Sequence, residues 1–255
     1  MVVVEKKQIQ EIPLLHIVEH ANYTDPLPMV IFFHGFSSTK EKNLHYAHSL
    51  AEKGFRVVMP DALFHGERQT NLTGADINIY FWDIVLNTIK EIQTVKQYFE
   101  EKGFVNCNRI GLAGTSMGGI VTLGALTQYP WAKAAVSLMG MPSFEEFTTW
   151  QFNQLERYGI TVPITEKEKQ QLFSKIRPFD LSLAPTKLQN RPLLFWHGKK
   201  DPVVPFVPTY QFYEKIKENY RDNIDRLQFI ADEEAGHMVS REGELQTVAW
   251  FEKYL

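Results

Sequence analysis

Residues 109–119 read RIGLAGTSMGG, an apolar run followed at once by glycines that surround a single serine. Within this stretch, residues 114–118 match the pattern G-x-S-x-G. The run 109–113 predicts a buried strand, and the pattern of residues 118–129 predicts a helix directly after it. A serine in such a strand-to-helix turn holds its hydroxyl exposed above a sheet. The stretch therefore predicts an α/β fold and makes Ser116 the candidate nucleophile.

The rest of the chain alternates between the same two kinds of pattern. Short apolar runs predict strands, and apolar residues spaced by three or four predict helices between them. This alternation is typical of a mostly parallel central sheet flanked by helices. The first 20 residues are interpreted as an extended hairpin. The predicted strands are 29–33, 55–59, 109–113, 134–139, 192–196 and 227–230, and the predicted helices are 41–53, 82–102, 118–129, 208–220 and 242–255.

One long connection interrupts the alternation. Residues 141–190 lie between two predicted strands, where a single helix with short loops is usual. Two interpretations remain open: extra helices packed at the edge of the sheet, or a cap over a site at the carboxyl ends of the strands. We expect a core made of residues 1–140 and 191–255, with residues 141–190 as a helical cap insertion.

Composition excludes several classes of protein. The 255 residues are 44% hydrophobic and 22% charged, which is typical of a globular protein and not of a disordered chain. A net charge of −3 argues against nucleic-acid binding. No apolar run approaches the roughly 20 residues of a membrane span, so no membrane association is expected. Cys107 is the single cysteine, which favours a reducing, cytoplasmic location, and we interpret it as an incidental thiol.

A serine hydroxyl needs a neighbouring base to become a good nucleophile. Among the eight histidines, His237 follows the last predicted strand, at the carboxyl end of the sheet, and is the candidate base. His45 and His48 have the spacing of a metal-binding pair on a helix, but no third ligand is suggested nearby, so no metal site is predicted. His197 ends a predicted strand and is interpreted as structural.

The base needs a carboxylate to orient its imidazole. Asp201 lies in a polar loop after the predicted strand 192–196 and is the candidate for this role. Asp232, Glu233 and Glu234 are closer to the base in sequence, but their pattern is typical of a solvated acidic turn.

A developing oxyanion is usually stabilised by two N–H groups. One candidate is the backbone N–H of Met117 at the start of a helix, and the other is that of Phe36, which follows a predicted strand in a His-Gly turn. Six residues are candidates for the substrate pocket, although an internal ion pair is the favoured interpretation of Arg68 and the aromatic rings are equally compatible with core packing. They are His34, His65, Arg68, Phe144, Phe147 and Trp150.

Taken together, these motifs resemble the α/β-hydrolases. More closely, the chain resembles bacterial serine carboxylesterases of the branch related to dienelactone hydrolases and to the catalytic domain of prolyl oligopeptidases. Dienelactone hydrolases use a cysteine where this chain has Ser116, and no residues are left over for the propeller domain of prolyl oligopeptidases. The motifs are His34-Gly35-Phe36, Pro60-Asp61, His65-Gly66, residues 114–119, His197-Gly198 with Asp201, and Gly236-His237.

The resemblance implies an α/β-hydrolase fold and a hydrolase of small to medium carboxylic esters. The nucleophile, the acid and the base occur in the chain order Ser116, Asp201, His237, which is the α/β-hydrolase order. A small-molecule ester is the expected partner, with no metal and no organic cofactor. Two alternatives stay open: a thioesterase or peptidase-like amidase with the same triad, and a hydrolase-fold binding protein without activity.

Overall fold

The computed structural model describes residues 1–72, 74–160 and 164–255, and its strands form one sheet of eight. The spatial order is β1-β2-β4-β3-β5-β6-β7-β8. Only the N-terminal hairpin and its pairing with β4 are antiparallel, whereas the pairs from β4 to β8 are parallel. The strands are β1 (Val2–Ile9), β2 (Ile12–Glu19), β3 (Leu27–Phe33), β4 (Arg56–Pro60), β5 (Val105–Thr115), β6 (Ala134–Leu138), β7 (Leu193–Gly198) and β8 (Leu227–Asp232).

Helices cover both faces of this sheet, as the alternation predicts. Buried side chains of α1 and α8 pack on one face, and those of α3, α4 and α7 pack on the other. No helix in the described ranges is long and apolar enough to cross a membrane. The helices are α1 (Leu44–Ala51), α2 (Gly74–Ile79), α3 (Phe81–Glu101), α4 (Met117–Gln128), α5 (Phe144–Arg157), α6 (Glu166–Ile176), α7 (Phe206–Ile216) and α8 (Arg241–Tyr254).

The predicted helices and strands are all present, with small shifts at their ends. The helix predicted over 41–53 is divided, because residues 40–43 form a 3-10 turn before α1 begins. The helix predicted over 208–220 starts earlier, and residues 217–226 continue it as 3-10 turns. The short helix α2 was not predicted. The parallel sheet with its antiparallel N-terminal hairpin confirms the α/β-hydrolase fold.

The long connection between β6 and β7 is helical. Its described residues form α5, α6 and three short 3-10 turns. The helix α5 packs through its aromatic side chains against α3: the ring of Phe144 lies 4.8 Å from that of Trp82, and the ring of Phe147 lies 6.0 Å from that of Phe81. A Thr165–Glu168 capping box starts α6. The segment therefore rests on the helical layer beside the sheet.

Candidate active site

Four loops meet at one edge of the sheet. The strands β3, β5, β7 and β8 run parallel, so their carboxyl ends lie on the same side. The loops that follow these strands carry the His-Gly turn, the serine, the acid and the base. Ligand sites of open α/β sheets form outside the carboxyl ends of the strands. The topology thus brings the candidate residues into one region.

A strained turn between β5 and α4 presents the serine. Ser116 has φ 55° and ψ −117°, a backbone conformation that is unfavourable for a residue with a side chain. The Ser116 N–H donates to the Leu138 carbonyl at 2.8 Å, which ties the turn to β6. A Cβ atom at Gly118 would lie 2.0 Å from the Phe33 carbonyl oxygen. Only glycine allows α4 to start this close to β3, and the close approach keeps the turn in place.

The candidate nucleophile, base and acid form a continuous line of hydrogen bonds. We call Ser116, His237 and Asp201 the relay. His237 Nε2 lies 2.8 Å from Ser116 Oγ, and His237 Nδ1 lies 2.7 Å from Asp201 Oδ2. Since an ionised carboxylate only accepts, the Nδ1–H donates to Asp201 and Nε2 is left to accept the serine proton. The geometry fits a hydroxyl that is activated by an oriented base.

Asp201 is held as a carboxylate. Its side chain is fully buried, and Oδ1 accepts the N–H groups of Val203 at 2.8 Å and Val204 at 2.9 Å. Burial alone raises the pKa of the Asp201 carboxyl, but hydrogen bonds from His197, His237 and the two amides outweigh burial and lower this pKa well below its usual value. Asp201 therefore keeps its negative charge beside the base.

The loops that carry the acid and the base are fastened to each other. The Lys199 N–H donates to the Asp232 carbonyl at 2.8 Å, and the Lys200 N–H donates to the Ala235 carbonyl at 3.0 Å. A Cβ atom at Gly198 would lie 2.4 Å from the Ala235 carbonyl oxygen, so glycine is required for this approach. The contact places the two loops side by side, which explains how residues 36 positions apart form a hydrogen bond.

The two amides predicted to bind an oxyanion lie beside the serine in sequence or in space. Met117 follows the serine and begins α4. Gly35, which precedes Phe36, packs on the nucleophile turn, where its Cβ atom would lie 3.5 Å from the Cβ atom of Ser116. Across the described chain, neither the Phe36 N–H nor the Met117 N–H donates to a protein acceptor. Both donors are free to bind a negatively charged oxygen.

Two histidines brace the loops after β3 and β4 against each other. His34 Nε2 accepts the Ala62 N–H at 3.0 Å, and His65 Nε2 accepts the Ser37 N–H at 3.0 Å. Each ring donates its Nδ1–H to a nearby carbonyl at 2.8 Å. Both imidazoles must be neutral to accept these bonds. We call His34 and His65 the crossed histidine pair.

The environment keeps the crossed histidine pair neutral. Burial lowers the pKa of His34 to about 4, and burial also lowers the pKa of His65. Next to the pair, the buried Lys40 ammonium forms ion pairs with Asp61 and Glu67, and Asp61 also accepts the Lys40 N–H at 3.2 Å. These contacts fix the backbone on both sides of Phe36.

Comparison with known proteins places the chain in a family. The model of the prolyl oligopeptidase family (Peptidase_S9) matches residues 42–255. The chain belongs to this family. It is 52% identical, over all 255 residues and the full length of both chains, to a Bacillus subtilis (strain 168) protein named "Putative esterase YitV". It is 30% identical over 227 residues, 88% of each chain, to "Esterase YjfP" of Escherichia coli (strain K12).

The fold of this family member also matches solved structures. TT1662 from Thermus thermophilus superimposes with a TM-score of 0.75 at 20% identity, over 99% of this chain and 98% of the other. At this identity the likeness concerns the fold. Together with the family match, it confirms the resemblance to the prolyl-oligopeptidase-like branch of the α/β-hydrolases.

The structure places several predicted pocket residues away from the solvent. The ring of Phe144 is fully buried against Trp82, and Phe147 is 3% exposed. These two rings belong to the core, which is a correction of their prediction as pocket residues. Trp150 stacks on Phe147 at 5.7 Å. Trp150 also lines, with Phe173 and others, a cavity of about 430 Å³ whose lining residues include no member of the relay.

Arg68 is held in an internal ion pair, the alternative that sequence reasoning left open. Its two terminal nitrogens each lie 2.8 Å from a carboxylate oxygen of Glu91. Nη1 also donates to the Asp61 carbonyl at 3.2 Å. With its guanidinium occupied in this way, Arg68 supports the loop after β4, which corrects its prediction as a pocket residue.

The remaining candidates stand outside the relay. Cys107 is exposed at the start of β5. His48 pairs with Glu52 at 3.4 Å on α1. Within the described residues, no group of three His, Cys, Asp or Glu side chains is arranged to hold a metal ion. The rival acids after β8 pair instead with lysines: Glu233 with Lys199, and Glu234 with Lys200.

Sequence reasoning missed three residues at this site. Lys40 gave no signal, because a lysine in a polar loop is normally exposed. Phe81 was not singled out, yet its ring lies 5.6 Å from that of Phe36. His197 was interpreted as structural, yet its Nε2 lies 3.3 Å from Asp201 Oδ2.

Proposed function

We propose that this chain is a serine carboxylesterase that hydrolyses small to medium carboxylic esters through an acyl-enzyme. The observation that carries the proposal is the hydrogen-bonded line from Ser116 through His237 to Asp201, with distances of 2.8 and 2.7 Å. This arrangement supplies a nucleophile, a general base and an orienting carboxylate.

In the acylation step, Ser116 is the nucleophile, His237 is the base and Asp201 stabilises the charged base. Ser116 Oγ attacks the ester carbonyl carbon while His237 Nε2 takes its proton. The imidazolium that forms is stabilised by the Asp201 carboxylate. When the tetrahedral intermediate collapses, the bond to the alcohol oxygen breaks and His237 returns the proton to that oxygen. The alcohol leaves, and the acyl group stays on Ser116.

Deacylation repeats the same proton transfers with water. His237 takes a proton from a water molecule that attacks the acyl carbon, and then gives the proton to Ser116 Oγ as the carboxylic acid departs. In both half-reactions the N–H groups of Phe36 and Met117 bind the oxyanion. Loss of one such donor typically costs about 10² to 10³ in rate, so the bracing of Phe36 by the crossed histidine pair contributes to catalysis.

Residues 141–190 are proposed to be a cap insertion that borders the site. A row of ring contacts supports this placement. The ring centroid of Phe81 lies 5.6 Å from that of Phe36 and 6.0 Å from that of Phe147 of α5. The loop that carries Phe36 and the insertion are therefore connected through the side chain of Phe81. Core packing along this row would transmit a change in the insertion to Phe36.

Ester substrates are favoured over amides by the full-length relatives. YitV and YjfP carry esterase names and match this chain over 100% and 88% of their length. Since the family name refers to peptidases, an amide substrate is the alternative to test. A cytoplasmic location is part of the proposal, because Cys107 has no cysteine partner within the chain.

The decisive experiment compares p-nitrophenyl esters, the matching thioesters and the matching anilides. We expect ester hydrolysis by the wild type, none by Ser116→Ala, and covalent labelling of Ser116 by a fluorophosphonate. Ser49→Ala, on α1, is the control and should retain full activity. Equal activity of the wild type and Ser116→Ala would exclude the proposed mechanism, and faster anilide turnover would replace the esterase by an amidase.

A further inference from the structure

We propose that His197 is a positioning residue that holds the Asp201 carboxylate in the orientation required by the base, an inference that rests on the proposed function. His197 lies near the end of β7, and its side chain is fully buried. Its Nε2 lies 3.3 Å from Oδ2 of the acid, Asp201.

The hydrogen bonds of His197 determine its tautomer. Nε2 lies 3.0 Å from the Val204 carbonyl oxygen and 3.3 Å from Asp201 Oδ2. Both oxygens only accept, so the proton of the neutral imidazole lies on Nε2, where its N–H interacts with both. Nδ1 is buried and has no partner among the described residues. The opposite tautomer would bury an unsatisfied N–H and set a lone pair against two oxygens.

This N–H completes a closed arrangement around the acid. Val204 donates its N–H to Asp201 Oδ1 at 2.9 Å and accepts from His197 through its carbonyl. Asp201 Oδ2 faces both His197 and His237. Rotation of the carboxylate would break contacts to donors on three sides. The carboxylate plane is thereby fixed toward the base.

A purely space-filling role does not explain a histidine here. The ring lies edge-on to Phe206 at 5.8 Å, in surroundings where an apolar side chain would pack. A buried nitrogen without a partner is unfavourable, and an apolar residue would avoid that loss. The only polar atom of the ring that has partners faces the acid and the loop around it. The chemistry of the position is therefore that of a donor to the Val204 carbonyl and to the Asp201 carboxylate beside it.

The test compares two substitutions. His197→Leu removes the donor and keeps a buried side chain of similar volume, whereas His197→Gln keeps an N–H group near the Nε2 position. We expect kcat for ester hydrolysis to fall about tenfold in His197→Leu with little change in KM, because the N–H that faces the Asp201 carboxylate is lost. His197→Gln should recover most of this loss.

The pH profile separates positioning from stability. Without the His197 donor, the charge on Asp201 is less dispersed and stabilises the His237 imidazolium more strongly. The acidic limb of the kcat/KM profile should therefore move to higher pH in His197→Leu. His16→Leu removes another fully buried imidazole, on β2 and outside the relay. This control should lose stability without any shift of the acidic limb.

The outcomes distinguish this inference from the proposed function. Activity that survives in Ser116→Ala would overturn both. Activity that is lost in Ser116→Ala but unchanged in His197→Leu, with an unshifted acidic limb, would overturn the positioning role alone. If the variants do not fold, ¹⁵N NMR of histidine-labelled wild type still decides: a proton on Nε2 of His197 is expected, and a proton on Nδ1 would refute the assignment.

Discussion

His65 accepts the backbone N–H of Ser37 at 3.0 Å across two loops that are 28 residues apart in the chain. Ser37 has φ 58°, and it directly follows Phe36, whose amide is proposed to bind the oxyanion. A hydrogen bond at this point sets the direction of the preceding peptide. The His-Gly turn after β4 therefore acts on the turn after β3.

His65→Phe should slow ester hydrolysis. A phenyl ring cannot accept the Ser37 N–H in this way, so the Phe36 amide loses its support. We expect kcat to fall about tenfold, less than the loss of an oxyanion donor itself. Steady-state kinetics with a p-nitrophenyl ester measure the effect. His65→Gln, which retains an acceptor, should lie closer to the wild type, and equal rates for His65→Phe and wild type would contradict the bracing role.

Asp201→Asn should lower kcat far more than His65→Phe does. An amide can present its N–H₂ group to His237 and favour the wrong tautomer, which in the Ser-His-Asp template costs about 10⁴ in kcat. The same kinetic assay and the rate of fluorophosphonate labelling measure this loss. Glu233→Gln is the control, because Glu233 pairs with Lys199 outside the relay. A large loss in Glu233→Gln with a small one in Asp201→Asn would reverse the assignment of the acid.

Lys40→Met should destabilise the fold. The substitution leaves Asp61 buried without its cation, and breaking a buried ion pair typically costs about 3 to 5 kcal/mol. Denaturant unfolding gives the change in free energy. Lys6→Met removes the exposed partner of Glu67, a pair of 3.3 Å, and should change the free energy of unfolding by less than about 1 kcal/mol. Similar losses in both variants would mean that burial of Lys40 has no special effect.

Acidification should destabilise the protein through its buried histidines. Burial, and then the Arg56 charge, lower the pKa of His16 to about 4, and burial lowers the pKa of His34 to about 4. The unfolded chain takes up these protons near pH 6.5, so stability present above that pH is lost as the pH falls toward 4. At pH 5 the loss is about 2 kcal/mol for each histidine as an upper limit.

Unfolding midpoints between pH 7.5 and pH 5 measure this effect. His16 lies between Arg56 and Glu5, so its neutral ring accepts from one and donates to the other. His16→Gln should lower the stability at pH 7.5 and also flatten the dependence on pH. An unchanged slope in this variant would show that His16 does not titrate during unfolding.

Local patterns were sufficient to predict the strands, five of the helices and the nucleophile turn. Residues 109–119 specify a strand, a serine and a helix through short-range sterics. The chain order of Ser116, Asp201 and His237 reflects the topology of the fold. Each of these inferences depends on neighbours within a few residues or on the order of elements.

The substrate pocket was predicted less well. Phe144 and Phe147 are aromatic residues at the start of an insertion, and this pattern is equally compatible with a pocket and with a core. Their burial against Trp82 and Phe81 depends on the position at which α5 packs on α3. Arg68 forms its ion pair with Glu91, which is 23 residues away in the chain. No local pattern encodes these partners.

Taken alone, the amino-acid sequence determined which elements form and which residue types could carry the chemistry, because hydrophobic periodicity and turn sterics act over short distances. Only the tertiary structure decided which side chains share a hydrogen bond: His237 with Ser116, His65 with Ser37, and His197 with Val204 beside Asp201. The physical reason is that hydrogen bonds and buried charges depend on direction and on exclusion of water. Both are set where loops from distant parts of the chain meet.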